Sequence, residues 1–442
     1  MTMRGLSALP LDDDLLDRVM TFCPTFGTLG AMVLASKGFH RVFQTHPKSI
    51  MRAVAYNIVG PALPQALRLI RYPHPPPEDP IDMATTCPED HEPSVMTDDE
   101  KKLLQENAEV VQKLENIYSL TTKDRTSKTS LLTSEESWRF RRASYRIMLY
   151  CKLFPGNIYS FDELEDLDDV QIAKIRRQRT AVLNEYPTDE LLEIFSVVKF
   201  IGGIFVEVNG GIDSSDDLDV LLSAGPAGAV SCWEDRDASG LDEDLLNLLD
   251  GDENNNLFTG YFSLPFQNIW ATRNIKPPKE DEPASKYVLD QVNGANDTCS
   301  HCATPGGLAL LTQANWDRQQ IFSTQLLKAK LKSNQTLTFP FAQAAGNLSD
   351  AESLGCFIAG FFAMSRRAPG FEDWEVGQSY CQPCLTKYLE EHAWIWLLEE
   401  RVKTGWVPPE DCWYGYNCNT QTHKLAHAQQ KNHLCVPTRG SV

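Results

Sequence analysis

Cysteines and histidines gather in the last third of this 442-residue chain. Cys299-Ser300-His301-Cys302 and Cys381-Gln382-Pro383-Cys384 are two pairs with two residues between members. That spacing lets both thiolates of a pair reach one tetrahedral Zn²⁺ at about 2.3 Å. The pairs either share one ion or are unrelated. A gap of 78 residues separates Cys302 from Cys381, so a shared site requires a folded insertion, and the apolar stretch 354–364 implies real packing there, which favours sharing. Downstream, Cys412 and Cys418 enclose five residues, and so do His427 and His433. Two thiolates and two imidazoles complete a structural zinc set, with His423 and Cys435 as rival ligands. The chemistry expected is therefore coordination of two Zn²⁺ ions. A metal hydrolase needs an open coordination position and a carboxylate base, which complete Cys/His sets do not offer. No phosphate loop, serine-triad motif or dinucleotide fingerprint occurs, so no enzyme is expected.

The elements that must hold these ligands follow from the flanking residues. Residues 385–402 are strongly helical in pattern, which puts Cys381 and Cys384 at a helix start. A cysteine knuckle followed by a pair at a helix start resembles a treble-clef finger; the long insertion is the departure from it. The tail, residues 411–435, resembles a poly(ADP-ribose)-binding zinc finger through its Tyr414-Gly415 step inside the cysteine pair and its histidine spacing. That resemblance implies Cys412, Cys418, His427 and His433 as zinc ligands and Tyr414 stacked on an adenine of poly(ADP-ribose), with Trp413 and Tyr416 as further aromatic faces. Two features depart from the family: Asn419, where it favours an aromatic or basic residue, and a short loop before the first histidine. The residues by themselves also allow a finger that only folds the tail.

At the other end, Pro10 stands where a first-turn proline is tolerated, Asp12 to Asp14 put negative charge at a helix start, and Leu15, Leu16, Val19 and Met20 recur at helical spacing. Pro24 and Gly27 break that helix; Leu29, Met32, Val33, Phe39, Val42 and Phe43 give further apolar faces before Pro47. The result is a compact helical unit with apolar residues to spare, and such clusters mark protein contacts. Leu9-Pro10, the Leu15/Leu16 and Val19/Met20 pairs and Ala35-Ser36-Lys37-Gly38-Phe39 resemble an F-box, over residues 6–46, and the continuation with His46-Pro47-Lys48 and Gly60-Pro61 resembles the fungal F-box proteins. The family implies docking onto a Skp-type adaptor through Leu9, Pro10, Leu15, Leu16, Val19, Met20 and Phe39, with the remainder holding an unknown protein substrate for a cullin-RING ubiquitin ligase. A small helical bundle capping a larger domain, or a zinc-dependent chromatin or ADP-ribose reader that never joins a ligase, are the alternatives.

The intervening chain reads as helix and acidic loop. Residues 47–72 extend the first unit, and the proline- and acid-rich segment 73–100 is expected to be a stiff exposed linker. Residues 101–296 are mainly helical: Thr133 with Glu136 makes a capping box for a helix to about Cys151, and Pro187-Thr188-Asp189-Glu190 opens another. The basic, aromatic run Trp138, Arg139, Arg141, Arg142, Tyr145, Arg146 is expected to be a solvated face with the aromatics packed inward. Asp250 to Asn256 reads as a disordered connection rather than a calcium loop. Residues 297–402 form the paired-cysteine module and 403–442 the tail. The fold expected is mainly α: a three-helix start, a helical middle and a small zinc-stabilised α+β module at the end. The net charge is −19, yet the first 72 residues carry eight Lys/Arg against four Asp. With the acid concentrated in 161–169 and 242–253, extended nucleic-acid binding is disfavoured. No run of about 18 apolar residues occurs, so no membrane span is expected. The acidic N-terminus disfavours a leader, which places the protein in cytoplasm or nucleus and makes the twelve cysteines metal ligands and core thiols.

Overall fold

Capping chemistry decides where the first helices begin. Asp12 accepts the Asp14 N–H at 3.2 Å to open α1 (Asp13–Thr21), Thr25 accepts from Thr28 at 3.1 Å to open α2 (Phe26–Ala35), and Ser36 accepts from Phe39 at 3.3 Å to open α3 (Lys37–Thr45). Pro47, whose missing N–H costs nothing in a first turn, begins α4 (Pro47–Val59), and α5 (Leu63–Arg71) follows a 3₁₀ turn. Asn57 donates to the carbonyls of Thr21 at 2.7 Å and Cys23 at 3.0 Å, tying α4 to the end of α1. Within α1 the i, i+4 pair Leu16 and Met20 is buried, whereas Leu15 and Val19 are 51% and 45% exposed. Met20, expected as an adaptor contact, is fully buried, and α1 packs against α3 and α4. Leu16 belongs to the same buried face, and Phe39 is half-buried.

The computed structural model describes residues 12–72, 87–89, 96–156, 167–208, 215–249, 257–279, 282–318, 323–348 and 350–439. Leu9, Pro10, most of the proline-rich segment, the acidic run 161–166 and the Asp250 to Asn256 stretch lie outside the described residues. The chain divides into two units, Met1–Glu115 with Leu132–Asp290, and Asn116–Leu131 with Gln291–Val442.

The first unit continues with α6 (Asp98–Tyr118), whose last residues belong to the second unit, α7 (Ser134–Leu153), α8 (Asp169–Asn184), α9 (Thr188–Val208), α10 (Ser215–Ser223), α11 (Gly225–Asp235), α12 (Glu243–Leu249) and α13 (Ser263–Thr272). The Thr133 and Glu136 capping box is present. Helix α7 is central, packed against α5, α9 and α11. Its arginines are not a solvated face. Arg142 donates to Glu193 at 2.6 and 2.5 Å and to Glu190 at 3.1 Å, and Arg146 holds Glu89 at 2.8 and 2.9 Å, all five side chains being buried or nearly so. The acids come from α9 and from Glu89 of the proline-rich segment, partners far away in sequence, so local charge density could not reveal the pairing. Tyr145 is buried as expected. The start of α6 at Asp98 and the capture of Glu89 also shorten the expected linker.

The second unit carries α14 (Ser323–Leu331), α15 (Gln335–Ala345), α16 (Ala351–Phe362), α17 (Gln382–Lys403) and α18 (Leu425–Gln430). Its core is aromatic: Trp374 stacks on Tyr380 at 4.0 Å and on Tyr388 at 4.7 Å, and Phe357, Phe361 and Phe341 pack against Trp396 at 4.9, 5.4 and 5.3 Å. The fold is mainly helical. The expected β component of the C-terminal module is corrected: among the described residues β pairing amounts to isolated bridges, Thr298 with Pro305, Leu311 with Tyr380, and Asp411 with Asn432. Each joins a turn next to a ligand, and none has the neighbours that would extend it into a ladder. No helix among the described residues is long and apolar enough to cross a membrane.

Candidate metal centres

The first centre is built from a turn and a helix start. The N–H of Cys299 donates to Thr304 O, and that of Ala303 donates back to Cys299 O, both at 2.9 Å, with Ala303 in the left-handed region at φ 56°. This closes a knuckle that presents Cys299 and Cys302. Cys381 is the N-cap of α17, and Cys384 lies in its first turn behind Pro383. The two halves are sewn together by Ser300 N–H donating to Ser379 O at 2.9 Å and by Cys381 N–H donating to Cys299 Sγ at 3.3 Å. The helical insertion between them brings the chain back, so the 78-residue gap is spanned by α14, α15 and α16.

All four sulfurs lie within 4.8 Å of one another, and Cys302 Sγ is 3.7 Å from Cys381 Sγ. A tetrahedral ion with Zn–S of about 2.3 Å needs sulfurs about 3.8 Å apart. The electrostatics also ask for a cation. Thr304, through its hydroxyl and its N–H, lowers the Cys302 thiol to about 6, while burial and then the neighbouring sulfurs push Cys384 up. Four crowded thiols cannot all ionise without a positive charge among them. The start of α17 supplies part of it.

The second centre is a set of turns. The bridge between Asp411 and Asn432 aligns the two ends, with Cys412 N–H donating to Asn432 O at 2.9 Å. Gly415 has φ 42°, and a Cβ there would sit 2.2 Å from Cys435 O, so the turn between the cysteines admits only glycine. The 3₁₀ turns Gly415–Asn417 and Asn419–Thr422 and the short α18 carry the remaining ligands. His427 Nε2 lies 3.6 Å from Cys412 Sγ and 3.4 Å from Cys418 Sγ, and the ligand atoms of Cys412, Cys418, His427 and His433 fall within 4.8 Å of one another. Bond lengths of about 2.3 Å to sulfur and about 2.0 Å to nitrogen imply S···N separations near 3.6 Å. Burial and then the His427 charge hold His433 down to about 4, so its ring is neutral and able to ligate near neutral pH. Of the rivals, His423 is exposed, and the Cys435 thiol faces the carbonyls of Cys412 at 3.6 Å and Asn432 at 3.4 Å. Neither joins the set.

Around this centre the aromatics part company. Tyr414 is 50% exposed. Trp413 is capped by the Arg439 guanidinium at 3.8 Å, and Tyr416 packs on Trp394 at 5.2 Å. Tyr416 is thus engaged in holding the tail to α17. One residue that spacing did not point to is Arg125. It is buried and donates to Asp297 at 2.5 Å and to Ser379 at 3.1 Å. Those partners each precede a ligand, Cys299 and Cys381, by two positions, so one guanidinium clamps both halves of the first centre. No family model, no characterised protein and no solved structure matches the chain.

Proposed function

We propose that each centre holds one structural Zn²⁺ and that the protein is a non-catalytic F-box substrate receptor, joined to a cullin-RING ligase through a Skp-type adaptor and taking its protein substrate through the remainder of the chain. The observation that carries the zinc part is the convergence of two complete, closed ligand sets at tetrahedral separations. Closed sets stabilise folds and leave no coordination position for a reacting water. The adaptor part is supported by the outward face of α1 and its neighbours: Leu15 and Val19, with Phe22 at 72% and Leu34 at 87% exposure, stand clear of the core that Leu16 and Met20 fill. An apolar stripe of this kind is what a protein partner covers.

The test is capture of a purified Skp-type adaptor by the full chain. Leu15→Asp with Val19→Asp, both at exposed positions, should abolish capture while metal content and melting temperature stay unchanged. Equal capture by the double variant, or none by the wild type, would contradict the adaptor reading. The half-exposed Tyr414 beside the second centre favours a second reading, in which the tail stacks an adenine of poly(ADP-ribose). Tyr414→Ala would then remove binding and leave zinc in place; a metal-loaded tail that ignores the polymer would count against it.

A further inference from the structure

Of the twelve cysteines in the chain, only Cys302 and Cys356 are exposed. Cys302 has a second sulfur beside it: Cys381 Sγ lies 3.7 Å away, in a contact at the molecular surface. The Thr304 hydroxyl, 3.2 Å from Cys302 Sγ, is a further surface contact of the same sulfur. The rest of the first set is graded inward, with Cys381 and Cys384 half-buried and Cys299 2% exposed. The tail's thiolates are placed otherwise: Cys412 and Cys418 are 5% and 2% exposed. A dissolved reagent therefore meets the first centre at Cys302 and finds no exposed cysteine ligand in the second. The surroundings of the first centre also hold without metal. The Ser300 to Ser379 hydrogen bond, the Arg125 clamp on Asp297 and Ser379, and the apolar core that takes in Tyr380 and Tyr388 keep its two halves together. Chemistry at these sulfurs can change the coordination without dismantling the fold.

We propose that Cys302 and Cys381 form a redox modification site: a peroxide oxidises Cys302, Cys381 resolves it to a disulfide, and the ion of the first centre is discharged. In the first step the Cys302 thiolate attacks a peroxide oxygen. The S–O bond forms, the O–O bond breaks, the sulfur gives up two electrons and hydroxide leaves. In the second step the Cys381 thiolate attacks the sulfenic sulfur. The S–S bond forms, the S–O bond breaks and a second hydroxide leaves. With hydrogen peroxide, each hydroxide takes a proton from solvent, so two thiolates, one peroxide and two protons give one disulfide and two waters. Closing the sulfurs from 3.7 Å to about 2.0 Å is an approach on the scale of side-chain rotation, and the bond links the knuckle to the start of α17. A zinc ion left with Cys299 and Cys384 alone has lost its closed set and leaves. A dithiol reductant reverses the disulfide, which makes the site a sensor rather than a lesion. The discharge of zinc rests on the zinc reading of the first centre; the disulfide rests only on the sulfur positions.

The experiment uses the full chain with its metal content measured first. Cys356→Ser is run beside the wild type, so that the other exposed thiol cannot account for the oxidant consumed. Hydrogen peroxide is added in stoichiometric amount, zinc release is followed with a chromophoric chelator, and disulfides are mapped by mass spectrometry after alkylation of the remaining thiols. Both proteins should release about one zinc ion per chain, about 10-fold or more faster than any release from the tail. The map should show Cys302 joined to Cys381, with Cys412 and Cys418 still alkylated. Near-ultraviolet dichroism should persist, and dithiothreitol with added zinc should restore the original metal content. Cys381→Ala should leave Cys302 as a sulfenic acid that dimedone traps; the wild-type map stands whether or not that variant folds. Equal release from both centres, oxidation of Cys412 or Cys418 before Cys302, a disulfide that omits Cys381, or a Cys302 carried to sulfinic acid overturns the proposal. A metal-free chain that still forms the Cys302 to Cys381 disulfide upholds the redox site and overturns the zinc reading. A zinc-loaded chain whose sulfurs stay reduced overturns this proposal alone.

Discussion

The two ligand sets share a unit but sit in opposite surroundings. Cys299 and its partners lie at the edge of a broad apolar core that includes Tyr380, Leu385, Tyr388 and Trp374. Beyond Lys403, the buried apolar residues among the described ones are only Cys412, Cys418, Ala428 and Leu434, two of them candidate ligands, and of these Leu434 alone belongs to that core. A segment that small cannot close a core of its own, so coordination has to stand in for burial. In the first centre a metal would pin together parts that already pack. In the second it would be the main reason the parts stay folded. Similar geometry would thus serve two different energetic roles, and the surroundings would decide which.

Breaking the tail should have the largest effect. Cys418→Ser should remove one metal ion and the metal-linked folding energy, about 10 kcal/mol or more for isolated fingers. Limited proteolysis should then cut freely within 405–439, while the far-ultraviolet dichroism barely changes, because α18 spans only six residues. Cys384→Ser should also remove one ion but cost less, on the order of 4 kcal/mol. Near-ultraviolet dichroism from the stacked Trp374, Tyr380 and Tyr388 should persist and only the thermal midpoint fall. If the two variants lost tertiary signal and protease resistance alike, the contrast between the centres would fail.

Arg125→Met sharpens the comparison, because it strikes the first centre from outside its ligand set. It should speed chelator-driven loss from that centre by up to about 10-fold, less than loss of a group bonded directly to a ligand, and leave the tail's release rate unchanged. The smallest effect concerns pH. His392 is fully buried among Tyr388 and Phe371, with Nδ1 donating to Tyr388 O at 2.7 Å and Nε2 accepting from Ala368 N–H at 2.9 Å. Burial lowers its pKa from the usual 6.5. The unfolded chain therefore takes up a proton that the folded chain refuses. Stability should be fully present above pH 6.5 and fall below it, by up to about 1.4 kcal/mol per pH unit, until the folded pKa is reached. His392→Gln should flatten that decline in a denaturant series run from pH 7 to 5.

Residue type and spacing were enough to select all eight converging donors, because a tetrahedral set restricts which spacings can meet and the local turns carry their own signals. Caps such as Ser36 and Thr133 were legible for the same reason: their hydrogen bonds reach only three residues. What spacing could not show depends on partners distant in the chain. Arg142 and Arg146 look like a wet face until Glu193, Glu190 and Glu89 arrive; Arg125 has no motif around it; and Met20, which is buried, is indistinguishable by period from its exposed neighbour Val19. Tyr416, too, is an aromatic like Tyr414 in sequence, and only contact with Trp394 sets them apart.

The central claim is that two closed ligand sets hold two zinc ions. Metal analysis of the purified full chain combined with zinc-edge X-ray absorption tests it most directly. The account predicts about two zinc ions per chain and an average shell of about three sulfurs and one nitrogen, at about 2.3 and 2.0 Å, since one site is all sulfur and the other half nitrogen. A metal-free protein that resists protease equally well, a single ion per chain, or a shell containing several oxygens would contradict it.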